Sequence, residues 1–360
     1  MNARDLDFLL DLLGTPSPTG FESAGQRKWV RRVRAHADTV ASDTYGSAWA
    51  IRRGSAAKGP RVMIEAHADE IGFIVKHITA EGFLHIDRIG GADAATARGR
   101  RIEVLGEKGI VPGLIGTTAI HLRRDQLGDE KSPKIHELYV DVGAPSRAEV
   151  AKLGLRVGHP AVYAERAALL GKDRLCGRAL DNRVGGFILA MVLARLAKRA
   201  RRPAATVIAL NAVQEEIGGH GAAMATHRLF PDVAVVLDVT HATDTPGISL
   251  PTHGEVRLGK GPTLTHGTSN HPAVVERLGR IADRSKIPIQ HESSSRYSGS
   301  DTDSIFLVRE GIASALVSFP LRYMHSAVET AHVSDIERTI DLLDAFLVDL
   351  KAGERFTVRL

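Results

Sequence analysis

Gln214-Glu215-Glu216-Ile217-Gly218-Gly219 follows directly on the apolar run Thr206-Val207-Ile208-Ala209-Leu210-Asn211-Ala212-Val213. A β-branched apolar run of this length predicts a buried strand, so the paired acids stand at its C-terminal end, where open α/β sheets bind ligands. Two adjacent carboxylates in a buried mouth repel each other; without a cation, one must be neutral or the site strained. A metal ion resolves the conflict. One carboxylate becomes a ligand, and its neighbour, turned the other way as the strand ends, is left as a base beside metal-bound water. Taken alone, such a pair is more often a solvated Glu-Glu at a helix N-terminus, so the reading depends on the rest of the chain.

Further candidates occupy comparable places. The run Arg61 to Ala66 delivers His67, with Asp69 two residues on. A carboxylate there can accept the ring's second N–H and fix the tautomer, although a buried, satisfied histidine has the same local sequence. Asp181 stands just before the helical stretch Val184 to Lys198, where local sequence favours an N-cap. The buried strand Pro231 to Leu237 ends on Asp238, and the last strand, Ile312 to Ser318, runs on to Arg322-Tyr323-Met324-His325-Ser326. In a parallel sheet these positions converge on one edge. Two imidazoles and three carboxylates suit a pair of zinc-like ions: one bridging carboxylate, one His and one acid for each metal, and a shared water or hydroxide as fourth ligand. The charges also close, two divalent ions against three carboxylates and a hydroxide. Glu215 is then the nearby acid outside the ligand set.

The elements that must position these residues read as an α/β fold, a mixed and largely parallel sheet flanked by helices. An amphipathic helix opens the chain, with Asp5, Asp7 and Asp11 among leucines; a turn at Gly14 to Gly20 follows, and Phe21 to Ala37 is helical. Between Ala68 and Glu165 the texture changes to short glycine-punctuated strands: Gly72 to Ile78, Phe83 to Ile89, Arg101 to Leu105, Gly109 to Ile115 and Glu137 to Val142. That pattern predicts a small β-barrel or sandwich inserted at 68–165 into a catalytic domain formed by 1–67 and 166–360. His121 to Glu137, charged and carrying Ser-Pro, reads as an exposed loop. Lys286 to Glu292 reads as a strand and Val333 to Leu350 as the closing helix.

Composition narrows the class. A chain of 360 residues, 43% hydrophobic and 25% charged, is ordinary for a globular protein. Its net charge of +5 is scattered, with no basic stretch interleaved with aromatics, which argues against nucleic acid. The single Cys176 excludes an internal disulfide and a Cys-based zinc cluster, and its simplest role is a small buried residue. No run approaches ~18 apolar residues and the N-terminus lacks signal-peptide charge, so no membrane association is expected and the protein is placed in the cytoplasm. There is no H-E-x-x-H, G-x-S-x-G or G-x-x-x-x-G-K-[ST] motif; Gly254 to Gly261 approaches the last but lacks its hydroxyl.

Five ordered segments, His67-Ala68-Asp69-Glu70-Ile71-Gly72, Ala179-Leu180-Asp181-Asn182-Arg183, Gln214-Glu215-Glu216-Ile217-Gly218, Asp238-Val239-Thr240 and Arg322-Tyr323-Met324-His325-Ser326, closely resemble the tetrahedral dinuclear metalloaminopeptidases, a family with glutamyl aminopeptidases and proteins labelled endoglucanase M. The likeness extends to Pro16-Ser17-Pro18-Thr19-Gly20-Phe21-Glu22 and Val111-Pro112-Gly113. It implies a zinc exopeptidase-like sheet with an inserted β-barrel. It implies His67, Asp181, Glu216, Asp238 and His325 as ligands of two divalent ions, zinc or cobalt, with Asp181 the bridge, Glu215 the general base and Asp69 the partner of His67. It also implies peptide substrates, and a barrel that mediates assembly from a dimer up to a twelve-subunit shell. The loop Ser293 to Asp303 and the segment His266 to His271 match less clearly, and they bear on specificity.

Rival readings are a dinuclear amidohydrolase acting on N-acyl amino acids, a metal-independent glycoside hydrolase using two carboxylates, and a catalytically silent assembly protein. His241 and Asp244 read as loop groups or supports rather than ligands. His220, His266 and His271 read as structural or substrate-lining. Asp301 and Asp303 either favour a basic substrate side chain or belong to an ordinary solvated loop.

Overall fold

The computed structural model describes residues 1–122, 132–358 and 360. Helices α1 (Ala3–Leu13) and α2 (Ser23–Val33) lead into strands β1 (Thr39–Ser42), β2 (Ala48–Arg52) and β3 (Arg61–His67). Then come β4 (Gly72–Ile78), β5 (Leu84–Ile89), α3 (Ala94–Ala97), β6 (Arg101–Gly106), β7 (Gly109–Ile115), β8 (Tyr139–Asp141), α4 (Arg147–Lys152) and β9 (Pro160–Tyr163). The chain continues through β10 (Ala168–Leu170), β11 (Arg174–Gly177), α5 (Leu180–Lys198), β12 (Thr206–Ala212), α6 (His220–Leu229), β13 (Val233–His241), α7 (Leu250–His253) and β14 (Thr263–His266). It closes with α8 (Pro272–Ser285), β15 (Gln290–Ser293), α9 (Thr302–Ile305), β16 (Ala313–Arg322), β17 (Glu329–His332) and α10 (Val333–Asp349).

Strands β4 to β9 form a closed barrel in the order β4-β5-β8-β7-β6-β9, and the remaining strands form one large sheet ordered β1-β2-β12-β3-β13-β16-β17-β11-β10. Strands β14 and β15 lie off this path beside β16. The four middle strands of the sheet, β12, β3, β13 and β16, run parallel. Because helices cover both faces of the sheet, alternate residues of each parallel strand go to opposite cores. Val62, Ile64 and Ala66 of β3 and Val207 and Ala209 of β12 pack with α1, α2, α5 and α10, around Leu9, Trp29, Phe187 and Phe346. Met63, Ile208, Leu210 and Val236 face the other way, with Ala222, Ala225 and Ile305 of α6 and α9.

Two strands are longer than their sequences suggest. Strand β13 continues through Asp238 to His241, and β16 continues through Pro320 to Arg322, because the two extensions pair with each other in parallel register. The short strands β1, β10, β11 and β17 have too few residues to show a period, and they gain their place only by pairing. Of the stretch His121 to Glu137 expected as a loop, residues 123–131 lie outside the described residues. Its described flanks include the 3₁₀ turns Ile120–Leu122 and Ile135–Glu137. Among the described residues no helix is long and apolar enough to cross a membrane.

Helix α5 is pressed onto β3 so closely that a Cβ on Gly185 would lie 2.7 Å from Ala66 Cβ and 2.3 Å from Asn182 Oδ1. Gly185→Val is therefore expected to lower stability by about 1–3 kcal/mol through overpacking, read as a fall in the urea midpoint. An unchanged midpoint would contradict this packing.

Candidate active site

The sheet brings all seven sequence-nominated residues to one edge. His67 is the last residue of β3, opposite Ala212 of β12, and Glu215 and Glu216 follow just beyond that strand. Asp238 lies in β13, and His325 lies three residues past the end of β16. Asp181 arrives from the start of α5. Its Oδ1 is 3.1 Å from His67 Nε2, and its Oδ2 is 3.3 Å from His325 Nε2. Asp238 Oδ1 is 3.7 Å from His67 Nε2, and Glu216 Oε2 is 3.4 Å from His325 Nε2. The donors thus fall into two sets, His67 with Asp181 and Asp238, and His325 with Asp181 and Glu216; within each, one donor atom per residue lies within 4.8 Å of the others. Asp181 belongs to both. Glu215 belongs to neither, yet its Oε2 is 3.8 Å from His67 Nε2.

Local structure explains how Asp181 comes free for this position. The expected N-cap role falls instead to Asn182, whose Oδ1 accepts from Gly185 N–H at 3.0 Å. Asp181 itself has φ −78° and ψ 110°, outside the helical region, and the peptide joining it to Asn182 is cis. Asn182 also donates from Nδ2 to Leu237 O at 2.7 Å, tying the start of α5 to β13 beside Asp238. Asp69 does more than face its histidine. His67 Nδ1 lies 3.2 Å from the Asp69 carbonyl and 3.5 Å from its Oδ1, while the carboxylate accepts from Thr19 Oγ1 and from the backbone N–H groups of Glu215 and Glu216. Asp69 thus fixes the turn that carries both glutamates.

The electrostatics are those of an acid cluster short of cations. Burial pushes the carboxyl groups of Glu215 and Glu216 well up, the first raised further by Asp238 and the second by Asp181, with His67 opposing in both cases. Burial likewise raises Asp238, against the pull of His67. Burial would lift Asp181 and depress both imidazoles, but the pairing reverses each: Asp181 is held low, and His67 and His325 are held high. Among the described residues, no lysine or arginine pairs with any of these carboxylates, and the buried Glu216 Oε1 has no hydrogen-bond partner. Donors at 2.0–2.1 Å from a tetrahedral ion stand roughly 3.3–3.4 Å apart. The N···O separations of 3.1 to 3.7 Å bracket that edge, so the residues present fit divalent metal.

Glu329 escaped notice in the sequence. It lies buried in β17, where Oε2 accepts from Asp181 N–H at 3.1 Å and Oε1 from His325 N–H at 2.9 Å. A lone acid between Val328 and Thr330 was the only local signal. Glu65, on β3 two residues before His67, is also fully buried and is pushed up to about 8 by burial. Asp301, offered above as a solvated or substrate-facing group, is only 2% exposed, and burial beside Glu65 raises it too. Asp244 is engaged by Arg322 Nε at 2.8 Å, and His266 by His291 Nδ1 at 2.9 Å. His241 lines the cleft. The cleft itself, about 1310 Å³, runs from the donor cluster past Thr240 and Glu292 along Ser293 to Ser300.

An α/β sheet that gathers imidazoles and carboxylates in two sets sharing one acid, at the rim of an open cleft, defines a metallohydrolase of the exopeptidase type. The chain belongs to the M42 glutamyl aminopeptidase family, whose sequence profile matches residues 46–342. It is 35% identical to the lysyl aminopeptidase of Pyrococcus furiosus over 96% of this chain and 98% of that one. Among solved structures it is similar to an aminopeptidase from Desulfurococcus kamchatkensis, with 33% identity, TM-score 0.90, and 97% and 96% of the two chains covered. The TET1 peptidase of Pyrococcus horikoshii, which can assemble into a tetrahedron or a large octahedral shell, is 28% identical with TM-score 0.84, over 96% of this chain and 100% of that one.

Removing the Asp69 carboxylate strands the Thr19 hydroxyl and the two glutamate amides. Asp69→Ala should destabilise the fold by about 1–3 kcal/mol for each buried group left unpaired. Amide hydrogen exchange at Glu215 and Glu216 should accelerate, and unchanged exchange there would show that Asp69 does not hold the turn.

Proposed function

We propose that this chain is a metalloaminopeptidase that releases N-terminal residues from peptides. His67, Asp238 and Asp181 would hold one divalent cation, and His325, Glu216 and Asp181 a second. The observation that carries the reading is the donor spacing about Asp181, whose two oxygens face two different imidazoles at 3.1 and 3.3 Å. Two such cations, zinc or cobalt by ligand type, supply Lewis acidity that lowers the pKa of water and polarises a carbonyl.

The chain's own chemical step belongs to Glu215. Half-buried beside the cluster but outside both donor sets, it accepts the proton of the attacking water and returns it to the departing amine, a contribution of roughly 10²- to 10⁴-fold. Asp69 and Glu329 position rather than react: one fixes the Glu215-Glu216 turn, and the other fixes the backbone of Asp181 and His325. The free α-amino group of the substrate belongs at the carboxylate-rich end of the cleft, which confines cleavage to the first peptide bond.

We assign residues 68–165 to a barrel domain that makes contacts between copies of the chain, and 1–67 with 166–360 to the catalytic domain. Ile110 and Leu114 on β7 are 50% and 48% exposed, as an outward apolar patch awaiting a partner would be. A homo-oligomer, from a dimer up to a twelve-subunit shell in the manner of the similar TET1 peptidase, and a cytoplasmic location complete the reading.

Two experiments test it. Glu215→Gln should bind the same two metal equivalents, counted by elemental analysis, while kcat falls by about 10²-fold or more; near-normal turnover would remove Glu215 as the base. Chelated protein should lose hydrolysis of aminoacyl amides and recover it as zinc or cobalt is titrated to two equivalents per chain. Chelator-resistant hydrolysis, or saturation at one equivalent, would overturn the paired site.

A further inference from the structure

The cleft wall beyond the donor cluster carries a carboxylate that the reaction leaves unused. Glu292 on β15 accepts through Oε2 from Thr240 Oγ1 at 2.6 Å, and through Oε1 from Thr265 Oγ1 at 2.6 Å and Thr263 Oγ1 at 3.3 Å. Thr263 and Thr265 are buried and Glu292 is half-buried, so the group is built into the wall. A carboxylate oxygen offers about two acceptor sites. Oε1 takes the Thr265 hydroxyl and shares that of Thr263, which also faces Ser318 O at 3.4 Å, whereas Oε2 takes Thr240 alone and keeps a site open. Among the described residues, no lysine, arginine or histidine forms an ion pair with Glu292, although it lines the same cleft as His67, Asp181 and Glu215.

Its place along the cleft sets the length of what can reach it. Asp238 and Thr240 project from the same face of β13, roughly 6.6–6.8 Å apart along the strand. Glu292 is hydrogen-bonded to Thr240 and therefore stands about one long side chain from the cluster. An extended four-carbon lysine stem spans about 6 Å from Cα to Nζ.

The two aspartates of the neighbouring loop are not open to the cleft in this way. Asp303 accepts from Ser298 N–H, Gly299 N–H and Ser269 Oγ, which fixes its own loop, and Asp301 is buried and does not line the cleft. The opposing charge is Arg296, whose guanidinium lies over the Tyr297 ring at 5.1 Å on the outer lip.

We propose that Glu292 determines specificity for the first side chain of the substrate and selects a basic one, lysine or arginine. This rests on the aminopeptidase reading above. The test compares lysyl and norleucyl amides, whose side chains share one carbon skeleton and differ by the ammonium. The wild-type enzyme should favour lysyl over norleucyl by about 10- to 100-fold in kcat/KM, the range of one charge-assisted hydrogen bond, and Glu292→Gln should bring that ratio close to one. Free L-lysine and L-norleucine, titrated calorimetrically into the metal-loaded protein, should show the same difference in affinity and the same collapse without any turnover. Equal or better hydrolysis of the norleucyl amide by the wild type, a preference for a glutamyl amide, or a lysyl-to-norleucyl ratio unmoved in Glu292→Gln would each overturn the assignment while leaving the aminopeptidase reading intact. Failure to hydrolyse any aminoacyl amide would sink that reading instead, and the binding pair would still decide whether Glu292 recognises an ammonium.

Discussion

Negative charge gathered where little water reaches it is the constraint that organises this molecule. Asp181, Glu215, Glu216 and Asp238 meet at the C-terminal edge of the parallel strands, with the imidazoles of His67 and His325 among them. An uncompensated buried charge costs several kcal/mol, so such a cluster persists only if something answers it. The protein answers with backbone dipoles as well as imidazoles. Asp238 accepts from Val239 N–H at 2.8 Å, Asp69 from two N–H groups and Glu329 from two more. Each of these bonds also fixes a stretch of chain that bears a cluster residue. The groups that offset the charge are thus the same groups that set the geometry.

Backbone conformation carries part of the cost. Ala179, Gln214 and His325 all have φ near 61°, a left-handed conformation unusual for residues with a Cβ. Each lies at or within two residues of a cluster member, and positions of this kind cost on the order of 1–3 kcal/mol. They hold because the surroundings over-determine them: parallel strands fixed on both faces end at this rim, and the chain must turn at once to aim a side chain back across the edge. Had these strands been solvent-facing on one side, the turns could relax outward and the side chains would part.

The reach of sequence reasoning follows from this arrangement. Long apolar runs such as 206–212 and 61–67 are legible because strands buried on both faces need continuous hydrophobicity, and the acids at their ends follow directly. Asp238 was legible as the residue on which its strand ends, though the continuation to His241 was not, since it exists only through pairing with Phe319 to Leu321 of β16. Asp181 could not be separated from an N-cap locally, because the cap is Asn182, one residue on. Five dispersed segments in a family's order carry a resemblance that no one segment could. Glu65, Glu292, Asp301 and Glu329 show the limit. Local sequence does not say whether a single acid is buried, in the apolar run that holds Glu65 or in the mixed stretches that hold the others, and hydroxyl donors like Thr240 and Thr265 come from strands distant in sequence.

The inserted barrel is bound into the cluster at the segment where the chain leaves the sheet for it and again at the turn after β5. Glu70, three residues past His67, accepts from Ser17 N–H and forms a buried ion pair with Arg178, three residues before Asp181. One contact therefore clamps the chain entering the barrel to the segment between β11 and α5, beside two of the donors. On the opposite side, the turn after β5 approaches so closely that a Cβ on Gly91 would lie 2.3 Å from His325 Nδ1. Glycine is required there because any side chain would push the imidazole from its place. A rigid rotation of the barrel would thus displace Glu70 and Gly91 together, pulling on Arg178 through its ion pair with Glu70 and on the His325 imidazole packed against Gly91. In an assembly held through the barrel, contacts between copies would bear on the positions of His67, Asp181 and His325 without any partner residue entering the cleft.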